Sequence, residues 1–168
     1  MRVALVAMET THSRGSASNR RFERIARLLA DAGHDVTVFC SQWWNDYDDE
    51  WLLDGVRYYG VTLGSAPTSF CSRIPGLLAR HRPDVVHVTP QPPQQVIAAS
   101  VGATLARAPL FLEWYGNEGL DPDARATRWA IGRPDRIVTP SEMVRTEIRE
   151  LGAADSQVQV IPESIDYE

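Results

Sequence analysis

Residues 2–40 read RVALVAMETTHSRGSASNRRFERIARLLADAGHDVTVFC, and the fold follows from this stretch. The opening apolar run, RVALVAM, is typical of a strand buried on both faces of a parallel sheet. A polar loop leads into a segment with apolar residues at helical spacing, which ends at Gly33, a residue suited to the left-handed turn beyond a helix. HDVTVFC then reads as a second strand. The pattern predicts a βαβ unit with ligands collecting in the loop after its first strand, Glu9 to Asn19.

The rest of the chain repeats this alternation of short apolar runs and amphipathic segments. Further strands are predicted at residues 56–63, 82–89, 110–113, 135–139 and 157–161. Helices are predicted at residues 68–81 with a break at Pro75, at 94–106, at about 122–131 and at 142–151, with Ser141 as the last one's N-cap. The sequence therefore predicts a single α/β domain over residues 1–168. We expect a Rossmann-like, doubly wound and mainly parallel sheet of about seven strands, with helices on both faces.

Composition narrows the classes of partner. The net charge is −5, which argues against nucleic acid as the main ligand. Cys40 and Cys71 lie far apart without metal-type spacing, so no metal site is predicted and both thiols are expected to be reduced. No apolar run approaches 18 residues, and no signal-peptide pattern opens the chain.

A tryptophan-rich stretch follows the second predicted strand. Residues 41–54, SQWWNDYDDEWLLD, combine three tryptophans with five acidic residues. The composition is too polar for a core segment and favours a surface loop at the carboxyl end of that strand. Two interpretations stay open: the rings pack on the domain edge, or they form a platform for a sugar or a lipid.

Four motifs, in order, resemble one family. They look like the N-terminal domain of GT-B type, retaining, nucleotide-sugar-dependent glycosyltransferases, the group 1 or glycosyltransferase family 4-like class. The motifs are LLADAGHDVTVFC (28–40), RPDVVHVTP (82–90), PDRIVTPSEMVRTEIRELG (134–152) and VQVIPESID (158–166).

The resemblance implies a division of labour. In that family two Rossmann-like domains face each other across a cleft, and the N-terminal domain mainly holds the acceptor. The chain would then be the acceptor-side half, inactive without a C-terminal donor domain. A nucleotide-sugar would be its co-substrate, with no bound cofactor and no metal. A glycan, a lipid-linked molecule or a small molecule would be the acceptor. We expect a cytoplasmic protein, which a lipid-linked acceptor would bring to the inner face of the membrane.

The resemblance also carries site residues. The family's glycine pair after the first strand corresponds to Gly15 and Ser16, where the second glycine is replaced. Arg14 and Asn19 flank this loop, and the helix amides beyond it would attract an anion.

Other cleft residues would follow later strands. His87, Thr89 and Gln91 lie at the end of the PDVVHVTP strand and beyond it. The family often carries a histidine or aspartate after the next strand, where this chain offers Tyr115, Asn117 and Glu118 as catalytic candidates. The binding candidates that complete the cleft are Ser141 and Glu163.

Two other functions stay in view. A stand-alone Rossmann-like module that binds an anionic small molecule or a protein partner is the main alternative to the transferase. A dinucleotide-dependent enzyme is disfavoured because no G-x-G-x-x-G follows the first strand. Cys40 also stands where such enzymes carry a ribose-binding acid.

Overall fold

An eight-stranded sheet organises the chain in the computed structural model, which describes residues 1–116 and 125–162. Its strands are β1 (Arg2–Val6), β2 (Asp35–Gln42), β3 (Glu50–Leu53), β4 (Val56–Leu63), β5 (Val85–Val88), β6 (Leu110–Glu113), β7 (Arg136–Thr139) and β8 (Val158–Val160). The helices are α1 (Ala17–Asp31), α2 (Pro67–His81), α3 (Pro93–Ala106), α4 (Arg125–Ile131) and α5 (Glu142–Glu150), and a 3₁₀ turn (Asp155–Gln157) precedes β8.

The strand order confirms the predicted Rossmann-like fold. Across the sheet it is β3-β4-β2-β1-β5-β6-β7-β8, and every neighbouring pair is parallel except β3 with β4. The chain moves outward in one direction from β1 to β2 and in the other from β1 to β5. Such a switch point opens a crevice at the carboxyl ends of the central strands, which is where ligands bind in sheets of this kind.

Helices cover both faces, as predicted. On one face, Phe22 and Ala26 of α1 pack in a cluster with Leu5 of β1 and Val38 of β2. On the other, buried residues of α2 through α5 share a larger cluster with alternate residues of the same strands, including Val6. Successive strand residues point to opposite faces, so β1 serves both clusters.

The tryptophan-rich stretch differs from the predicted surface loop. It contributes an eighth strand, β3, which forms an antiparallel hairpin with β4 at the sheet edge. Trp44 is 7% exposed, and its indole N–H donates to the carbonyl of Asp48 at 2.8 Å. The prediction of about seven strands missed β3 because the strand is only four residues long and directly follows a mostly acidic run at residues 46–49.

Helix α2 is continuous, so the predicted break at Pro75 is wrong. Proline removes one hydrogen-bond donor from a helix interior and crowds the preceding turn. The helix persists because Phe70, Ile74 and Leu78 are fully buried on one stripe that runs past the proline. Burial of that stripe outweighs the local cost.

Candidate functional site

A buried glutamine ties the carboxyl ends of the two central strands together. Gln95 of α3 accepts from the backbone N–H of Met8 at 2.8 Å. Its amide also donates to the carbonyl and the hydroxyl oxygen of Thr89, both at 2.7 Å. Gln95 therefore holds the carboxyl ends of β1 and β5 together. Sequence reasoning missed Gln95: the only signal was a glutamine in a mostly apolar predicted helix, and its full burial is visible only in the structure.

The loop after β1 is held by hydrogen bonds within the loop and to the first turn of α1. Ser16 caps α1 by accepting from the N–H of Asn19 at 3.0 Å, and the Asn19 side-chain amide donates to the carbonyl of Arg14 at 2.8 Å. Arg14 is exposed and lies 3.3 Å from Glu9. A Cβ built on Gly15 meets no atom within 4 Å, so the fold itself does not require glycine there. The space beside Gly15 is open to solvent and to a ligand.

A buried carboxylate at the end of β6 gathers three elements. Glu113 Oε1 accepts from Arg21 Nε of α1 at 2.6 Å and from the Tyr115 hydroxyl at 3.1 Å. Glu113 Oε2 lies 3.7 Å from Nε2 of His87 on β5. The Arg21 guanidinium also sits over the Tyr115 ring, 4.5 Å from its centroid. Because the Glu113 side chain is only 5% exposed, the arginine compensates a charge that water hardly reaches.

His87 belongs to this cluster and not to an open cleft. Its ring lies edge-on to Phe22 of α1 at 5.1 Å, and its Nε2 is buried without a hydrogen-bond partner among the described residues. Burial, aided by the charge of Arg21, lowers the pKa of His87 to about 4. At neutral pH the imidazole is therefore uncharged, and its contact with Glu113 is no ion pair.

The residues after Glu113 turn sharply. Gly116 has a φ of 91°, and a Cβ there would lie 3.0 Å from Val144 and 3.0 Å from the Glu147 carboxylate of α5. Glycine is needed at this position because both the backbone angle and the close approach exclude a side chain. Tyr115 is half-buried at the start of this turn. Asn117 and Glu118 lie outside the described residues, as does Glu163.

Two further candidates, Thr89 and Ser141, have structural roles, and a third, Gln91, is exposed. Thr89 is buried and its hydroxyl is used by Gln95, whereas the Gln91 side chain is exposed. Ser141 caps α5, as predicted, by accepting from the N–H of Val144 at 3.3 Å. The structure thus brings Tyr115 and His87 together around Glu113, while the other described candidates lie after β1, β5 and β7 at the same edge.

A groove of about 430 Å³ lies beside α1, between this helix and the residues that follow β8. Arg20, Arg21 and Arg24 contribute its basic lining, and Ile161 and Pro162 close it after β8. It joins the start of α1 to the end of the described chain. The pairing of α1 with residues after β8 was invisible in the sequence because it depends on where the last strand ends.

An aromatic cluster stands beside the loop after β1. The His12 ring stacks on Trp43 at 3.9 Å, and Trp43 in turn meets Trp44, Trp51 and Tyr58 at ring centroid separations of 5.4, 6.3 and 5.9 Å. The rings therefore pack largely on one another at the domain edge. Trp51 keeps 39% of its surface exposed.

The described part of the chain contains neither a membrane-spanning helix nor a metal-binding cluster. Within residues 1–116 and 125–162, no helix combines the length and the apolar character needed to cross a membrane. The same ranges contain no group of three or more His, Cys, Asp or Glu side chains placed to hold a metal ion.

Solved structures share this architecture. Sucrose-phosphate synthase from Thermosynechococcus elongatus is 12% identical with a TM-score of 0.71, and the match covers 96% of this chain and 47% of that one. Anabaena HepE, solved in complex with UDP-glucose, is 11% identical with a TM-score of 0.71, over 99% and 44%. UDP-N-acetylglucosamine 2-epimerase from Rickettsia bellii is 11% identical with a TM-score of 0.58, over 95% and 43%. The chain thus spans less than half the length of each, and at these identities the likeness concerns the fold.

The sequence comparison names the family. No curated protein matches the chain. A family model described as the glycosyl transferase 4-like domain matches residues 16–163, which is most of the chain. This protein therefore belongs to the glycosyl transferase 4-like domain family.

Proposed function

We propose that this chain is the acceptor-side half of a GT-B glycosyltransferase that transfers a sugar from a nucleotide-sugar to an acceptor. The observation that carries the proposal is the family match over residues 16–163. It is supported by the Anabaena HepE structure, which holds UDP-glucose and of which this chain covers 44%. A donor domain beyond this sequence would supply the other wall of the cleft.

The carboxyl edge of the sheet would form this half of the cleft. Arg14, Gly15, Ser16 and Asn19 would face the sugar or the donor phosphates, with the first amides of α1 behind them. On the far side of the edge, Ser141 and Glu163 would border the interface with the donor domain. The acceptor would be a glycan, a lipid-linked molecule or a small molecule, and a lipid-linked one would hold the protein at the cytoplasmic face of a membrane.

Tyr115 is the described residue to which we assign a catalytic role. The Tyr115 hydroxyl donates a hydrogen bond to Glu113 Oε1 at 3.1 Å, and Arg21 lies over the ring, so the side chain is fixed before substrate arrives. The hydroxyl oxygen could then accept a hydrogen bond from the acceptor or the transferred sugar. Transfer with retention of configuration, as the family resemblance implies, demands positioning and charge stabilisation more than a strong protein base. Asn117 and Glu118 would add polar groups to the same loop.

The test is sugar transfer by the protein extended to its full reading frame. We expect acceptor-dependent release of UDP or GDP from one of the common nucleotide-sugars. Tyr115→Phe keeps the ring under Arg21 and removes the hydroxyl, so kcat should fall roughly ten- to hundredfold, as for loss of one transition-state contact. Tyr47→Phe, at a fully exposed tyrosine, is the matched control and should leave kcat unchanged.

Two outcomes would contradict different parts of the proposal. A full-length protein that transfers no sugar from any common donor contradicts the glycosyltransferase function. A Tyr115→Phe enzyme with the wild-type rate contradicts only the role of Tyr115 and leaves the function standing.

A further inference from the structure

The groove beside α1, which we call the α1 groove, is lined by basic and apolar residues. Its described lining residues, none of them acidic, are Ala17, Arg20, Arg21, Arg24, Ile25, Leu28, Ile161 and Pro162. Arg21 is already bound to Glu113, and its side chain is only 17% exposed. Arg20 and Arg24 are exposed and lie one helical turn apart on the same face of α1. The charge that the groove presents to an occupant therefore comes mainly from these two arginines.

The apolar residues of the α1 groove leave much of their surface uncovered by the described chain. Leu28 is 57% exposed, and Ile161, which faces the same groove from the other wall, is 43% exposed. A single exposed aliphatic side chain is ordinary, but burial of two that line one groove would be favourable. The groove therefore suits an occupant that carries both acidic and apolar side chains.

The next six residues of the chain have this composition. Residues 163–168 read ESIDYE, with three carboxylates and no basic residue, and they lie outside the described residues. In an extended segment, alternate side chains point to opposite sides. Ile165 and Tyr167, the apolar pair, would then share one side, and Asp166 and Glu168, the acid pair, would share the other.

This segment starts at the groove and is long enough to follow it. Pro162 lines the groove, and the backbone N–H of Ile161 donates to the carbonyl of Thr139 at 2.8 Å, so the point where the chain leaves the sheet is fixed. Six extended residues span about 20 Å. The distance from Ala17 to Leu28 along a helix is about 17 Å. Because the segment is tethered beside the groove, its effective concentration there is high, and weak contacts suffice to hold it.

We propose that residues 163–168 lie along the α1 groove. The acid pair then meets Arg20 and Arg24, and the apolar pair covers the exposed surface of Leu28. In this position the segment holds the chain that leaves the domain against α1, and it shields the two arginines from anions in solution. The contact goes beyond the proposed glycosyl transfer, because no substrate takes part in it.

Backbone NMR of the ¹⁵N-labelled 168-residue chain tests this contact. We expect order parameters of about 0.8 for residues 164–167, whereas flexible backbone lies below about 0.6. A chain that ends at Pro162 should show shifted amide resonances for residues 20–28, because the segment no longer covers that side of α1.

Charge reversals identify the partners. Asp166→Arg with Glu168→Arg should lower the order parameters of residues 164–167 below about 0.6, since like charges then face each other across the groove. Arg20→Glu with Arg24→Glu should do the same for the same reason. All four substitutions together should restore the ordered values, because opposite charges face each other again.

A matched control makes the same change of net charge on the opposite face of the sheet. Arg80 of α2 and Arg133, which follows α4, are both exposed. Arg80→Glu with Arg133→Glu should leave the order parameters of residues 164–167 unchanged.

Several results would overturn the proposal. Order parameters below about 0.6 at residues 164–167 of the unaltered chain would mean that the segment does not dock. Shifts confined to the residues next to the new terminus of the shortened chain would place the segment away from α1. Equal loss of order in the control, or failure of the fourfold exchange to restore it, would make the effect one of net charge and not of this contact.

Discussion

Glu113 shows what a single residue does in this fold. The chain separates it from Arg21 by 92 positions, yet the two side chains meet at 2.6 Å below the carboxyl edge of the sheet. Breaking one partner of a buried ion pair leaves an uncompensated charge, so the pair locks α1 onto β6. The same carboxylate also accepts a hydrogen bond from Tyr115, which fixes the position of the first residues after β6.

The histidine beside this pair gives a pH-dependent prediction. Burial lowers the pKa of His87 to about 4, whereas an unfolded histidine titrates near 6.5. Between these values the unfolded chain binds more protons, so the free energy of unfolding falls as the pH drops from 6.5 towards 4. This histidine accounts for up to about 3 kcal/mol of that loss, from the size of the shift. His87→Gln should therefore flatten the curve in this window, as measured by urea unfolding at several pH values.

A direct titration checks the cause. The ring resonances of His87 should change little above pH 5 while the protein stays folded. A His87→Gln protein whose stability falls with acid as steeply as that of the wild type would contradict the assignment.

At the scale of helices and strands, periodicity located most elements. The parallel strands and their intervening helices were predicted because buried strands read as short apolar runs and α1 and α5 carry clear caps. Strand β3 was missed because its four residues, EWLL, are too few to show a strand period and follow a mostly acidic run. Pro75 was misread because local propensity ignores the burial that holds α2 together on both sides of it.

The contact between α2 and α3 depends on Gly102. A Cβ at that position would lie 2.9 Å from Leu78 Cβ and 3.1 Å from Pro75 Cα, so the helices approach closely at this point. Gly102→Ala should destabilise the protein by about 1–3 kcal/mol, because one helix must shift. Gly76→Ala is the matched control within α2: nothing lies within 4 Å of its Cβ, and the better helix propensity should stabilise by about 1 kcal/mol. Thermal or denaturant unfolding should show changes of opposite sign in the free energy of unfolding of the two variants. A neutral or stabilising Gly102→Ala would show that the helices have room to separate.

For the whole molecule, the order of elements was predictable and the contacts among polar side chains were not. The alternation of strands and helices led to the Rossmann-like sheet, and four ordered motifs led to the family that the match over residues 16–163 shows. The sequence placed Tyr115 and His87 on the same edge. The cluster around their common partner Glu113 also needs Arg21, and that contact depends on which side of α1 faces the sheet. The link that Gln95 makes to β1 went unpredicted for a similar reason, since its partner Met8 lies 87 positions away in the chain.

On the proposed division of labour, these residues form only one wall of a cleft. One wall of a cleft makes only part of the contacts to a ligand, while the loss of translational freedom on binding is nearly complete. The net charge of −5 also opposes an anionic donor, despite the arginines of the α1 groove. The 168-residue chain should therefore bind UDP-glucose with a Kd above about 1 mM by isothermal titration, whereas the full-length protein should bind its own nucleotide-sugar far more tightly. UDP- and GDP-linked sugars, titrated into both proteins, test the difference. Micromolar affinity in the short chain would mean that the donor site lies within these residues, and the proposed division of labour between two domains would then be wrong.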